Sequence, residues 1–253
     1  MAILKVVADA VVEFVLDKVV AKIVRDSGPF LSCRIWRRNE DFRVSYAALL
    51  CVAEGDQYVL VRKKRRGHYA PLGGLFKGTP ESKPILHGLE FRPERHDQNA
   101  LGDLRGFLPR RNAAAFDQWF QSGEARETDK DCVMREVNEE LSARGLAGVA
   151  LPTTARFTKL RFVGEGPERP AGEAYAQYRH LRFFDLASYE EPTMRAFVDR
   201  LMELGQTNEA LLIASADEIL RGVARDGRLI ANHAAYFFQG QPAARWEPRP
   251  VGT

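Results

Sequence analysis

Charged residues interrupt the apolar segment 3–24 every four or five positions, which is a helical spacing. On a helical wheel the apolar face changes side after Asp17. A helix of this kind packs against different neighbours along its length. The pattern therefore predicts an amphipathic helix within residues 1–28. Three roles stay open for it: packing on its own domain, formation of a homodimer, or contact with a membrane surface.

The same segment does not have the pattern of a signal peptide or a transmembrane helix. Its charged residues are Lys5, Asp9, Glu13, Asp17, Lys18 and Lys22. Each charge near the middle of a spanning helix costs about 2.5–3.5 kcal/mol, and a signal peptide needs an uninterrupted apolar run. We therefore predict no transmembrane segment and a cytoplasmic protein, with association at a membrane surface as the alternative.

Beyond residue 28 the apolar residues occur in short runs typical of strands, separated by longer segments with helical spacing. Strands are predicted over 31–36, 43–52, 58–62, 155–163 and 174–184, and a Gly/Pro loop over 164–172. Helices are predicted over 112–121, 129–143, 190–204 and 216–223. This pattern indicates one α/β domain over 29–238, followed by a loosely ordered tail over 239–253.

Composition excludes several classes of protein. Apolar residues make up 45% of the 253 residues and charged residues 28%, which excludes a disordered chain, a collagen-like fibre and a coiled-coil rod. A net charge of +3 gives no strong signal of nucleic-acid binding. The three cysteines have no CxxC spacing, so neither a disulfide framework nor a thiolate zinc site is expected.

Three glutamates recur at helical spacing in the segment 127–142. Glu136, Glu139 and Glu140 occupy positions i, i+3 and i+4, so a helix presents them on one face. Like charges at this spacing repel each other, and a divalent cation would offset the repulsion. Carboxylate oxygens suit Mg²⁺ or Mn²⁺. The alternative is a solvated acidic surface.

The context of these glutamates resembles the Nudix box, G-x5-E-x7-R-E-U-x-E-E-x-G-U. Gly73-Gly74 is followed by Glu127 and then by the segment 135–140, and residues 127–140 match the box at every fixed position. Two departures are present. The insertion, residues 75–126, replaces five residues with 52, and Ser142 replaces a glycine. The insertion either repositions the glycine loop or forms a lid over the site.

A narrower resemblance rests on further segments within roughly residues 30–238. They are 58–66, His68-Tyr69-Ala70-Pro71-Leu72-Gly73-Gly74, Phe76-Lys77, Asp103-Leu104-Arg105, Trp119-Phe120, 135–141 and Tyr178-Arg179-His180-Leu181-Arg182-Phe183-Phe184. Together these segments resemble the SMODS-associated NUDIX domain. The resemblance implies a Nudix α/β/α sandwich around a mixed sheet. It also implies a nucleotide-derived small molecule as ligand, and a functional link to a cyclic-oligonucleotide synthase in bacterial anti-phage (CBASS-type) signalling. The transmembrane helices of some members are not carried over to this chain.

The similarity to Nudix enzymes also implies a role for each residue of the box. Glu139 and Glu140 would be the main metal ligands, joined by the carbonyl of Gly73. Glu136 would be a further ligand or would orient the attacking water. Glu127 and Arg135 would form a structural pair.

Five consecutive basic residues, 62–66, precede the glycine loop. Such cations make charge-assisted contacts to polyphosphates, although a solvated basic loop is the alternative. The residues predicted to bind substrate are Arg62, Lys63, Arg66, His68 and Tyr69. For His68 and Tyr69, the alternative to stacking on a base is a structural role at the end of a strand.

Two functions from different classes remain open. The first is Mg²⁺-dependent hydrolysis of a nucleoside diphosphate derivative or a related nucleotide, which the three glutamates favour. The second is a non-hydrolytic nucleotide sensor or effector built on the same scaffold, which the insertion and Ser142 favour.

Overall fold

The computed structural model describes residues 40–63, 67–94, 102–146, 148–170, 172–187 and 189–238. The helix predicted within 1–28, the strand predicted over 31–36 and the tail 239–253 lie outside the described residues. The domain is therefore described from residue 40 onward.

Ten strands and five α-helices have bounds in the described chain. The strands are β1 (Asp41–Cys51), β2 (Ala53–Glu54), β3 (Gln57–Arg62), β4 (Tyr69–Ala70), β5 (Leu72–Leu75), β6 (Arg92–Pro93), β7 (Arg105–Pro109), β8 (Phe157–Glu168), β9 (Ala176–Leu186) and β10 (Leu211–Ser215). The helices are α1 (Ser82–Gly88), α2 (Ala113–Ser122), α3 (Asp129–Ser142), α4 (Pro192–Thr207) and α5 (Ala216–Arg221). Arg110–Asn112 and Asn232–Phe237 are 3₁₀ helices.

The larger sheet has six strands and is mixed. Its order is β6-β7-β1-β9-β8, and β5 also pairs with β1. The β1–β9 pair is parallel and the other pairs are antiparallel. A smaller antiparallel sheet has the order β10-β3-β2, with β4 paired to β3.

Strand β1 is the centre of the domain because both of its faces are buried. Tyr46 and Ala48 belong to a core cluster that includes residues of α2, α3 and α4. Ala47 and Leu49 point to the opposite face, into a second cluster with residues of α5 and the second 3₁₀ helix. Alternate side chains of one strand therefore enter two cores. This is the mixed α/β architecture that the sequence predicted, with helical segments on both faces of a mixed sheet.

The insertion closes on itself at its base. Lys77 forms an isolated antiparallel bridge with Asp103, and Gly78 forms one with Arg126. The backbone N–H of Glu127 donates to the carbonyl of Lys77 at 3.0 Å. The insertion therefore leaves and rejoins the domain at one place, and it does not carry Glu127 away from the glycine loop.

Between these ends the described part of the insertion extends the sheet and the core. Strands β6 and β7 continue the sheet beyond the first half of β1, while β5 pairs with its second half. Helix α2 buries Phe116, Trp119 and Phe120 in the larger core cluster. Trp119 and Phe120 thus anchor the insertion in this core.

The predicted loop over 164–172 is wrong in its first part, because β8 continues to Glu168. Gly164 and Gly166 indicated a loop, but here they allow close approach to β9. A Cβ atom at Gly164 would lie 2.7 Å from the hydroxyl of Tyr178, and one at Gly166 would lie 2.4 Å from the carbonyl of Gln177. Glycine inside a strand often marks such a close approach. Helix α1 was not predicted, nor were the strands β2, β4, β5, β6, β7 and β10.

A buried histidine joins helix α2 to the central sheet. His180 is 1% exposed, and its Nδ1 lies 3.4 Å from Oδ1 of Asp117. The same carboxylate oxygen accepts a hydrogen bond from the hydroxyl of Tyr46 at 2.9 Å, and the Tyr46 ring stacks on His180. Burial lowers the pKa of His180, with the Asp117 carboxylate opposing that effect. The neutral imidazole is therefore the folded form at neutral pH.

The lowered pKa of His180 predicts a loss of stability in mild acid. Below about pH 6.5 the unfolded chain binds a proton at this residue before the folded chain does, so the free energy of unfolding falls as pH falls. We expect the His180→Gln variant to show a shallower fall between pH 7 and pH 5 in urea denaturation. The variant keeps the other four histidines, so their contribution is the same in the wild-type chain and in the variant. If the free energy of unfolding fell with pH in parallel in the two proteins, the fall could not be assigned to His180.

Candidate functional site

Helix α3 has a defined start that sets the rotation of its glutamates. The hydroxyl of Thr128 accepts a hydrogen bond from the backbone N–H of Asp131, and Asp129 and Asp131 lie in the first turn, where acidic residues favour the helix dipole. One face of the helix is buried through Cys132, Val133, Val137 and Leu141. The helix packs against β5 and β1, so its glutamates lie beside the Gly73-Gly74 segment.

Both glycines of this segment are required by close approach. Gly73 has φ +115°, and a Cβ atom there would lie 2.3 Å from the carbonyl oxygen of Ala48 on β1. A Cβ atom at Gly74 would lie 2.0 Å from Oε2 of Glu136. The pair therefore lets strand β5 lie against β1 on one side and the α3 carboxylates on the other.

Arg135 connects the glutamates of the box. Its Nε donates to Oε1 of Glu127 at 2.6 Å, and its Nη2 donates to Oε2 of the same residue at 2.9 Å and to the carbonyl of Leu75 at 2.8 Å. Its Nη1 donates to Oε1 of Glu136 at 2.6 Å and to Oε2 of Glu139 at 3.2 Å. The predicted structural residues Glu127 and Arg135 thus form a bidentate pair, which also fixes the end of β5.

Glu140 lies on the other side of the glycine segment. Its Oε2 accepts a hydrogen bond from the backbone N–H of Gly73 at 3.1 Å. Its Oε1 contacts the ammonium of Lys63 and lies 3.2 Å from Nη2 of Arg144. The Lys63 ammonium also donates to the carbonyl of Gly73 at 3.4 Å. The carboxylate is therefore buried among cations and one backbone donor.

Glu139 is directed towards solvent. Its side chain is 56% exposed, and its Oε1 lies 3.7 Å from Nζ of Lys77. Within the described part of the chain, no group of three or more His, Cys, Asp or Glu side chains is placed to hold a metal ion. The structure brings Glu136 and Glu140 to the glycine segment and leaves Glu139 further out.

The oxygen atoms at the glycine segment are nevertheless of the chemical type that binds divalent cations. The carbonyl of Gly73 and Oε1 of Glu140 both contact one positive charge, the ammonium of Lys63. A carbonyl and a carboxylate are the hard oxygen ligands that Mg²⁺ prefers. Glu136, against Gly74, supplies a further carboxylate close to this segment.

Burial has the largest effect on the pKa of Glu136. Burial raises the pKa of this carboxyl, Arg135 opposes the rise, and the charges of Glu139 and Asp103 add to it. Asp103 belongs to the insertion, and the analysis of the sequence did not select it as a site residue. Its proximity depends on the bridge to Lys77, for which the sequence contains no local signal.

The residues predicted to bind substrate are placed unevenly. Lys63 contacts Glu140, whereas Arg62 pairs with Glu209 at 3.3 Å. His68 and Tyr69 are buried, and the Tyr69 hydroxyl donates to the carbonyl of Glu209 at 2.6 Å. Arg66 lies outside the described residues. Contacts of these residues with a ligand stay predictions.

The departure at Ser142 has a local explanation. Helix α3 continues through Ser142, and the chain turns at Gly145, which has φ +75°. The N–H of Leu146 donates to the carbonyl of Leu141 at 3.0 Å, so the turn is closed after the helix. The left-handed glycine therefore occurs three positions later than the box predicts.

Arg144, which the sequence analysis also missed, joins α3 to β3. Its Nε and Nη2 donate to the carbonyl of Arg62 at 3.0 and 2.6 Å, and its Nη1 donates to the carbonyl of Glu140 at 2.6 Å. The spacing of four from Glu140 is the one sequence signal that could have identified it.

Replacing Gly74 with alanine tests whether the site depends on the position of Glu136. The new Cβ atom would displace the Glu136 carboxylate from the cation site, so we expect at least about a tenfold loss of Mn²⁺ affinity, measured by electron paramagnetic resonance. Gly148→Ala is the matched control, because a Cβ atom there meets nothing within 4 Å. Equal affinity in the two variants would contradict the placement of Glu136 at the site.

The fold and the site define a Nudix-type α/β domain. A model of the SMODS-associated NUDIX domain matches residues 41–238, and the chain belongs to this family. No curated protein and no solved structure matched the chain. In the part of the chain that the structure describes, none of the helices has the length and apolar character needed to cross a membrane.

Proposed function

We propose that the protein is a Mg²⁺- or Mn²⁺-dependent Nudix-type hydrolase that cleaves a nucleoside diphosphate-linked or related nucleotide. The observation that carries the proposal is the closure of the insertion. Because the backbone of Lys77 meets that of Glu127, Arg135 binds both Glu127 and the carbonyl of Leu75. The contacts that join the glycine loop to α3 are therefore present despite the 52 inserted residues.

Each residue of the site would have its own role in the reaction. Glu139, Glu140 and the carbonyl of Gly73 would hold the cation, which supplies positive charge to polarise the phosphate and lowers the pKa of water. Glu136 would be a further ligand of the cation, and it would orient the attacking water and accept its proton. The new bond joins the water oxygen to phosphorus, and the bond to the bridging oxygen breaks, releasing a monophosphate.

Arg135 and Glu127 would keep the glutamates in position without touching the substrate. The basic residues Arg62, Lys63 and Arg66 would contact the phosphates, and His68 and Tyr69 complete the set proposed to bind substrate.

The biological setting follows from the family. Association with SMODS indicates a link to a nucleotide-signalling system. We propose that this link is to a cyclic-oligonucleotide synthase, that the role is anti-phage defence, and that the protein acts in the cytoplasm. Formation of a homodimer through residues 1–28 is part of the same proposal.

One observation favours a second candidate, a nucleotide sensor or effector without hydrolysis. The Lys63 ammonium already neutralises Glu140 and donates to the carbonyl of Gly73, so these two oxygens have a cationic partner without a metal ion. A scaffold stabilised in this way binds a phosphate ligand without needing a cation.

A substrate panel separates the two candidates. The full chain is incubated with Mg²⁺ and nucleoside diphosphate derivatives or cyclic oligonucleotides, and the products are followed by chromatography. Release of a monophosphate that requires Mg²⁺ and is lost in Glu140→Gln supports the hydrolase. Saturable binding of one compound without products supports the sensor and overturns the hydrolase.

A further inference from the structure

The Lys63 ammonium occupies a site whose geometry the backbone determines. The N–H of Lys63 donates to the carbonyl of His68 at 2.8 Å, and the carbonyl of Lys63 accepts from the N–H of Gly67 at 3.0 Å. The preceding carbonyl, that of Arg62, is held by the guanidinium of Arg144. The side chain therefore starts from a backbone that is hydrogen-bonded on both sides.

From this backbone the Lys63 side chain extends to the Glu140 carboxylate and the Gly73 carbonyl. Its Nζ contacts Oε1 of Glu140 and lies 3.4 Å from the carbonyl oxygen of Gly73. The Glu140 side chain is 10% exposed, and that of Lys63 is 27% exposed. A partly buried ammonium thus interacts with the same two oxygens that are proposed to bind the divalent cation.

A metal ion bound to these oxygens would lie within a few ångströms of the Lys63 ammonium. Like charges a few ångströms apart repel strongly in a partly buried site, so a metal ion binds only when the ammonium has moved away. We propose that the Lys63 ammonium competes with the divalent cation for this site. The affinity of the site for metal ions therefore stays low until the lysine is displaced. This inference rests on the proposed function, because it concerns the same metal site.

The competition predicts a gain of metal affinity when Lys63 is replaced. If the ammonium occupies the site at least nine-tenths of the time, its removal raises the apparent affinity at least about tenfold. We therefore expect Lys63→Met to bind Mn²⁺ at least about tenfold more tightly than the wild-type chain, in a titration without nucleotide followed by electron paramagnetic resonance.

Lys77→Met is the matched control for the loss of one positive charge. The Lys77 side chain is also 27% exposed and also pairs with a glutamate of α3, Glu139, but at 3.7 Å. We expect its effect on Mn²⁺ affinity to stay within about threefold, because Glu139 is 56% exposed and solvent screens the pair. An equal gain in both lysine variants would mean a general charge effect and would overturn the proposal.

Glu140→Gln, made in the wild-type chain and in Lys63→Met, shows whether the bound Mn²⁺ is at this site. Mn²⁺ binding that depends on Glu140, without a gain of affinity in Lys63→Met, would overturn the proposed competition by Lys63. In that case the metal site of the proposed function would still stand. If none of the proteins binds Mn²⁺ in a manner that depends on Glu140, the proposed metal-dependent function is overturned together with the inference.

Discussion

Replacing Glu136 with glutamine is expected to lower the rate of Mg²⁺-dependent hydrolysis by at least about 100-fold. Loss of a positioned proton acceptor typically costs a factor of about 10² to 10⁴. Glutamine keeps the shape of the side chain that packs against Gly74 but removes its charge and its basicity. The measurement is the rate constant at saturating substrate and saturating Mg²⁺.

Folding must be excluded as the cause of this loss. Far-ultraviolet circular dichroism and the thermal midpoint of Glu136→Gln should therefore be compared with those of the wild-type chain. Glu203→Gln on α4 is the control, because Glu203 is 70% exposed and also pairs with an arginine. A Glu136→Gln protein that folds and keeps its rate within a few-fold would contradict the assigned role.

The position of the site along the chain could be read from the sequence, because local spacing determines it. The i, i+3 and i+4 positions of Glu136, Glu139 and Glu140 place them on one helix, and α3 has nearly the predicted bounds. The run of apolar residues that became β1 was also visible, since a strand buried on both faces has no polar alternation.

The partners that lie far away in the sequence could not be predicted in the same way. Lys63 and Glu140 are 77 positions apart, and nothing in the local sequence of either residue specifies the other. The closure of the insertion depends on the pairing of Lys77 with Asp103 and of Gly78 with Arg126, which only the folded sheet determines. Sequence spacing therefore identified the carboxylates and their partner Arg135, whereas the contacts with Lys63 and Lys77 depend on the tertiary structure.

Two cysteines of the described chain are free and buried. Cys132, on α3, is fully buried. Burial raises the pKa of its thiol well above the ordinary value, so it is not a reactive thiolate. Cys51 is also free and buried, and burial raises the pKa of its thiol to about 12.

Replacing Arg135 with methionine is expected to lower the free energy of unfolding by about 3 kcal/mol at neutral pH, which is the usual cost of leaving a largely buried charge without its partner. Arg135 donates to both oxygens of Glu127, to Glu136 and to the carbonyl of Leu75. Methionine fills much of the volume but makes none of these hydrogen bonds. The measurement is urea denaturation followed by circular dichroism.

Arg200→Met is the matched control, because its pair with Glu203 on α4 is exposed, at 51% and 70%, and such pairs contribute about 0–1 kcal/mol.

Acidification gives a second test of the cause. The Arg135 guanidinium lowers the pKa of Glu136, so its removal raises that pKa further, and protonation then relieves part of the penalty as pH falls. The difference in stability between the wild-type chain and Arg135→Met should therefore narrow from pH 7 towards pH 5. A loss no larger than that of Arg200→Met, or one that does not change with pH, would show that Arg135 does not stabilise the buried glutamates.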